Sequence, residues 1–206
     1  EKEIKTNTRA KQKLGTGPVS IVDPSSQINE LRLRKSSAEI ELMRHSAKIA
    51  SQAHIQAMAN TRPGIGEWQL EGIIEGVFKY CKSSGIAYPC IIGSGDNATI
   101  LHYTVNNDTC DEGEILLIDA GCEYNGYASD ITRSWPVNGK FTEAQSEIYQ
   151  IVLDSQLAAI DECRVGNTYD APHLAARKVL AEGLIKLGVI SQSLDDAISP
   201  DGELNK

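Results

Sequence analysis

The chain has 206 residues, 20 basic and 28 acidic, giving a formal net charge of −8 at pH 7, with 41 % apolar and 23 % charged residues. That is an ordinary globular composition, sized for one domain or one and a part, which excludes a disordered chain. The longest uninterrupted aliphatic run, Ile115–Ile118, is far short of the roughly 18 apolar residues of a membrane span, and an acidic surface offers nothing to the phosphates of nucleic acid.

Residues 1–26 are polar and broken by Gly15, Gly17, Pro18 and Pro24, so they read as a tail or interdomain connector ahead of a domain over 27–206. The chain opens on Glu1 with no secretory h-region and closes at Asp201–Lys206 without an obvious terminal element, so we expect an excised piece of a longer polypeptide. The capping box Ser36-Ser37-Ala38-Glu39 opens a helix to about Asn60. Its apolar face is expected to carry Ile40, Met43, Ala47, Ala50, His54, Ala57 and Met58, with Glu41, His45, Lys48 and Gln52 on the polar stripe. After the Pro63-Gly64-Ile65-Gly66 break, a second helix runs from about Glu67 to Ser83 and stops at Ser84-Gly85. From Tyr88 to His102, Ile91, Ile92, Thr99 and Ile100 around a Gly93-Ser94-Gly95 turn predict two short strands. Thr142-Glu143-Ala144-Gln145 caps a helix to about Glu162, and a further helix covers about Asp170 to Leu187, closed by Gly188. The five cysteines form no CxxC pair and read as free thiols in a reducing compartment, which places the protein in the cytoplasm.

The most specific local signal is Asn125-Gly126 between Glu114–Cys122 and Tyr127–Val137, the signature of a two-residue type I′ hairpin. With that loop, cross-ladder partners have numbers summing to 251: Tyr124 faces Tyr127, Asp119 faces Thr132, and Asp130 pairs with Gly121. Asp119 and Asp130 then share one face as diagonal neighbours, their Cβ atoms about 7 Å apart, close enough for both carboxylates to reach one hard cation or a pair of cations. An Asp in a strand is also often an edge charge or a turn cap, so spacing alone leaves both readings open. Thr132 is placed to hydrogen-bond the Asp119 carboxylate. Arg133 falls on the opposite face, suited to a surface ion pair, and Trp135 and Phe141 read as packing.

The stretch Leu117-Ile118-Asp119-Ala120-Gly121-Cys122, then Gly126-Tyr127-Ala128-Ser129-Asp130-Ile131-Thr132-Arg133-Ser134-Trp135-Pro136-Val137-Asn138-Gly139-Lys140-Phe141-Thr142, resembles the Xaa-Pro aminopeptidases (aminopeptidase P), the proline-specific branch of the pita-bread metallopeptidases. Leu31–Ser36, Gly93-Ser94-Gly95-Asp96-Asn97 and Leu101-His102-Tyr103 add to the likeness, which covers residues 27 to about 190. The resemblance implies an α+β pita-bread fold, here incomplete, with helices packed on a mainly antiparallel sheet. It implies two divalent metal ions, usually Mn²⁺, held by five side chains, the first two being aspartates at the positions of Asp119 and Asp130. His102 stands where the family has a histidine that overhangs the metals and hydrogen-bonds substrate. Tyr88 resembles a site-proximal tyrosine, with an ordinary core tyrosine as the alternative.

The implied reaction is hydrolysis of the peptide bond between an N-terminal residue and a following proline: two cations lower the pKa of a bridging water, and the resulting hydroxide attacks the scissile carbonyl while a metal polarises its oxygen. The substrate is therefore a peptide with an N-terminal Xaa-Pro; a homo-oligomer is left open. The family's remaining ligands, one His and two Glu, are expected downstream of Lys206, and this polypeptide alone is expected not to hydrolyse peptides. His45, His54 and His173 sit on helices as solvated or structural residues. Two other readings compete: a relative of prolidase, methionine aminopeptidase or creatinase type, and a non-catalytic pita-bread binding domain, against which the retention of Asp119 and Asp130 speaks.

Overall fold

The computed structural model describes residues 22–199, so the expected tail over 1–21 and the chain end at 201–206 lie outside the described residues. Helix α1 (Ser25–Leu33), whose start overlaps the expected tail, leads into α2 (Ser37–Asn60) and α3 (Glu67–Tyr80). Strands β1 (Gly85–Ile86), β2 (Ile91–Ser94), β3 (Ile115–Ala120), β4 (Cys122–Tyr124), β5 (Tyr127–Ala128) and β6 (Ile131–Pro136) follow. Helices α4 (Glu143–Asp161), α5 (Asp170–Lys186) and the one-turn α6 (Leu194–Ala197) complete the chain. The strands form two antiparallel sheets, ordered β1-β4-β5 and β2-β3-β6. This is the expected α+β arrangement. Among the described residues no helix is long and apolar enough to cross a membrane, and all five cysteines are free thiols.

Both capping boxes form: Ser36 Oγ accepts from the Glu39 amide while the Glu39 carboxylate accepts from the Ser36 amide, and Thr142 and Gln145 repeat the exchange at α4. The Glu39 carboxylate also accepts from the Tyr127 hydroxyl at 2.7 Å, and these bonds hold its pKa down to about 2. The buried face of α2 differs from the expected one. Ser46, Ile49, Ala50, Ala53, His54 and Ala57 are buried, whereas Ile40, Met43, Ala47 and Met58 are exposed. The reason is close packing: small residues let the helix backbone approach the strands, and Ser46 Oγ donates to the Cys122 carbonyl at 2.9 Å. Helix α3 ends three residues earlier than expected because Lys82 takes a left-handed conformation (φ 59°) and the Ser83 amide returns to the Phe78 carbonyl. The second of the two predicted short strands is a 3₁₀ turn, Gly95–Thr99. Gly95 at φ 56° diverts the chain there, and the turn folds back so closely that a Cβ on Gly93 would lie 2.7 Å from the Asn97 backbone.

Strand β3 alternates, with Leu116, Ile118 and Ala120 buried in the core formed with α2 and α3. Ile115, Leu117 and Asp119 face the other way. The register is the expected one throughout β3–β6 and β4–β5, with Asp119 opposite Thr132 and Tyr124 opposite Tyr127, and the turn residues Asn125 and Gly126 have φ of 50° and 86°. The expected Gly121–Asp130 pair does not form. There the ribbon passes from one sheet to the other: the Cys122 amide donates to the Ser129 hydroxyl instead of a backbone carbonyl, leaving Gly121 and Asp130 between the two ladders. A Cβ at Gly121 would lie 1.8 Å from the Ser129 carbonyl oxygen and 3.1 Å from the Tyr88 ring. Gly121→Ala is therefore expected to cost about 3 kcal/mol in urea unfolding, at the upper end of overpacking effects because the obstacle is backbone; a loss below about 1 kcal/mol would mean that the crossing relaxes freely.

Candidate metal centre

The chain enters the site through the backbone bond from the Ala87 amide to the Gly121 carbonyl, 2.9 Å, which lays the next residue, Tyr88, across the ribbon where it changes sheets. The Tyr88 hydroxyl meets Asp119 Oδ1 at 2.5 Å and Asp130 Oδ1 at 3.0 Å. Two acceptors around one hydroxyl are on the order of 4–5 Å apart, so the two aspartates converge although the Gly121–Asp130 ladder pair is absent. Burial, followed by the hydrogen bond and charge of Asp119, pushes the Tyr88 pKa above that of a free phenol and keeps the hydroxyl a donor. Tyr88 is half-buried and bonded to both carboxylates, more than the core tyrosine that was its alternative.

Asp119 and Thr132 line a cleft of about 290 Å³ with Ile91, Leu117 and the segment Ala98–His102. His102 thus opens onto the same space as Asp119, in a left-handed conformation (φ 57°) at an exposed position. Thr132 faces Asp119 in register but does not hydrogen-bond it; the Asp119 Oδ1 bond is to Tyr88. Among the described residues Arg133 forms no ion pair; its guanidinium donates to the Thr132 carbonyl at 2.7 Å. Trp135 packs against the core and donates from Nε1 to Thr61 Oγ1, and Phe141 is partly exposed against Tyr149. His45 is exposed on α2, its ring against Tyr124, while His54 is buried with Nδ1 against the Ala50 carbonyl, and His173 is exposed on α5. Among the described residues no third His, Cys, Asp or Glu joins Asp119 and Asp130 in a cluster able to hold a metal.

Two residues that shape the site gave no sequence signal. Glu67, in the first turn of α3, is fully buried and its carboxylate accepts four hydrogen bonds. Oε1 takes the Ser94 amide at 3.0 Å and Asn97 Nδ2 at 3.2 Å, and Oε2 takes the Tyr103 hydroxyl at 2.8 Å and the Asp108 amide at 3.0 Å. It thereby ties down both flanks of the segment that presents His102. Asn106, buried at φ 46°, plays strand partner to β2: Oδ1 accepts from the Ile92 amide and Nδ2 donates to the Cys90 carbonyl.

The donor set fits hard or borderline divalent cations, since both convergent groups are carboxylates and the nearby thiol of Cys122 is buried among Ser46 and Ser129 instead. Residues 41–195 match metallopeptidase family M24. The Xaa-Pro aminopeptidase of Escherichia coli K12 is 42 % identical over 89 % of this chain and 42 % of its own length. Human Xaa-Pro dipeptidase is 38 % identical over 82 % of this chain and 35 % of its own length. Among solved structures, Pseudomonas aeruginosa aminopeptidase PepP superposes with a TM-score of 0.90 at 38 % identity, covering 94 % of this chain and 44 % of that one. A substrate complex of Escherichia coli aminopeptidase P superposes at 0.89 with the same coverage. The chain spans less than half the length of these relatives, and its antiparallel sheets and flanking helices follow the aminopeptidase P fold. On the match of three-quarters of its length and on these identities, the chain belongs to metallopeptidase family M24.

Proposed function

We propose that the protein to which this chain belongs is a metal-dependent exopeptidase that removes the N-terminal residue from peptides with proline in second position. The observation that carries this reading is the convergence of Asp119 and Asp130 beneath the Tyr88 hydroxyl, at the edge of a cleft that His102 also lines. In this reading Asp119 and Asp130 are two ligands of a pair of divalent cations, manganese by preference because the donors are carboxylates. When bound, such cations polarise a scissile carbonyl and activate water. Asp119 and Asp130 fix the ions, and His102 hydrogen-bonds substrate from the cleft rim, while the Tyr88 hydroxyl stands beside the two carboxylates. The open face of β3 receives the peptide. Five free cysteines fit a reducing compartment such as the cytoplasm.

A panel of Xaa-Pro dipeptides, longer Xaa-Pro peptides and Met-initiated peptides, with Mn²⁺ added, tests the assignment on a protein extended to its relatives' length. Preferential cleavage of the longer Xaa-Pro peptides is expected. Dipeptide-only cleavage would move the assignment to prolidase, a reading favoured by the human dipeptidase among the similar proteins. No turnover by the extended protein would leave a binding domain. The 206-residue chain alone is expected to show none, because two carboxylates form only a weak, open cation site.

A further inference from the structure

We propose a second cation site, unrelated to Asp119 and Asp130, in which Glu71, Glu75 and Cys90 bind one thiophilic divalent ion of the zinc or cadmium class. The three side chains offer two carboxylate oxygens and a sulfur that all lie within 4.8 Å of one another. Glu71 and Glu75 stand one helical turn apart on α3, and Cys90 precedes β2. Strand alternation separates the two sites. Ile91, opposite Asp119, lines the cleft, whereas Cys90 and Ile92 turn into the core that includes α3.

Cys90 is 1 % exposed, and its sulfur has no hydrogen bond to any other residue. Apart from its own backbone it is a buried donor without a partner, within reach of two carboxylates. Those carboxylates are equally unserved. The ion pairs among the described residues are Arg44–Glu41 and Lys178–Glu182, and from none of the described residues does Glu71 or Glu75 accept a hydrogen bond. Like charges at i and i+4 destabilise a helix, an effect that a cation between them reverses. The field of the pair reaches the sulfur: burial, then Glu75 and Glu71, and least of these Asp119 from across the strand, push the Cys90 thiol up to about 12.

One sulfur with two oxygens suits Zn²⁺ or Cd²⁺ better than Mg²⁺ or Mn²⁺. Ligand atoms around tetrahedral zinc are roughly 3.3–3.7 Å apart, so closure asks about 1 Å of movement from two long, half-buried or exposed side chains. Water fills the fourth position, and the thiol proton leaves to solvent as the metal–sulfur bond forms.

The test is a Cd²⁺ titration of the purified protein in excess Mg²⁺, read by the ultraviolet charge-transfer band of a cadmium–thiolate bond. One equivalent is expected to saturate the band. Cys90→Ser is expected to abolish it, and Glu71→Gln with Glu75→Gln, which leaves the buried sulfur in place, to weaken it at least tenfold. Asp119→Ala and Asp130→Ala are expected to leave it intact, so the result stands apart from that of the peptidase assay. No band, a band that survives Cys90→Ser, or a band indifferent to the paired carboxamides would each overturn the site.

Discussion

Glu67→Ala is expected to lower the unfolding free energy by roughly 3–5 kcal/mol, because it leaves four buried neutral donors without their acceptor. The carboxylate is wholly enclosed and accepts from two backbone amides, one side-chain amide and one phenol. Truncation strands all four donors, each costing about 1–3 kcal/mol if none relaxes. Partial rearrangement keeps the total below their sum. Glu67→Gln is expected to fall about halfway, because the carboxamide keeps one acceptor oxygen but turns an NH₂ group toward two donors. Urea unfolding of the three proteins measures this directly. A shift under about 1 kcal/mol for the alanine variant would mean that water replaces the carboxylate and that the segment around His102 is not held from this point.

Asp130→Ala, in the protein extended to its relatives' length, is expected to empty one of two metal positions and to cut turnover at least a thousandfold, about 4 kcal/mol of transition-state stabilisation. Asp119→Ala is expected to do the same. Thr132→Val serves as the control: Thr132 lines the cleft without bonding either carboxylate, so occupancy and rate are expected to change less than threefold. Metal analysis of the dialysed proteins, with initial rates on one Xaa-Pro peptide, separates loss of metal from loss of fold. Full occupancy in Asp130→Ala would remove that residue from the ligand set.

The hairpin was legible because its information is local. Asn125-Gly126 selects a turn, the turn selects the register, and the register sets which side chains share a face. Helix starts were legible for the same reason, through Ser36 and Thr142. What escaped depends on distant partners. The true buried face of α2 follows from how near its small residues can approach β4, and the 3₁₀ turn at Gly95–Thr99 replaced a predicted strand because a glutamate some thirty positions earlier holds it. Tyr88 stands out in the sequence only through the family resemblance, and its bond to both carboxylates depends on the sheet crossing at Gly121, which no local pattern encodes.

The ribbon that carries Asp119 and Asp130 keeps a single register on both sides of its sheet crossing. Length changes in this segment therefore have unequal consequences along it. Residues added at the tip, beyond Tyr124 and Tyr127, extend the loop and leave the carboxylates converged. One residue lost between Ala120 and Cys122, or between Ala128 and Ile131, turns one acidic side chain toward the opposite surface. Evolution can thus vary the end of this hairpin freely while the spacing of its arms is held to the residue.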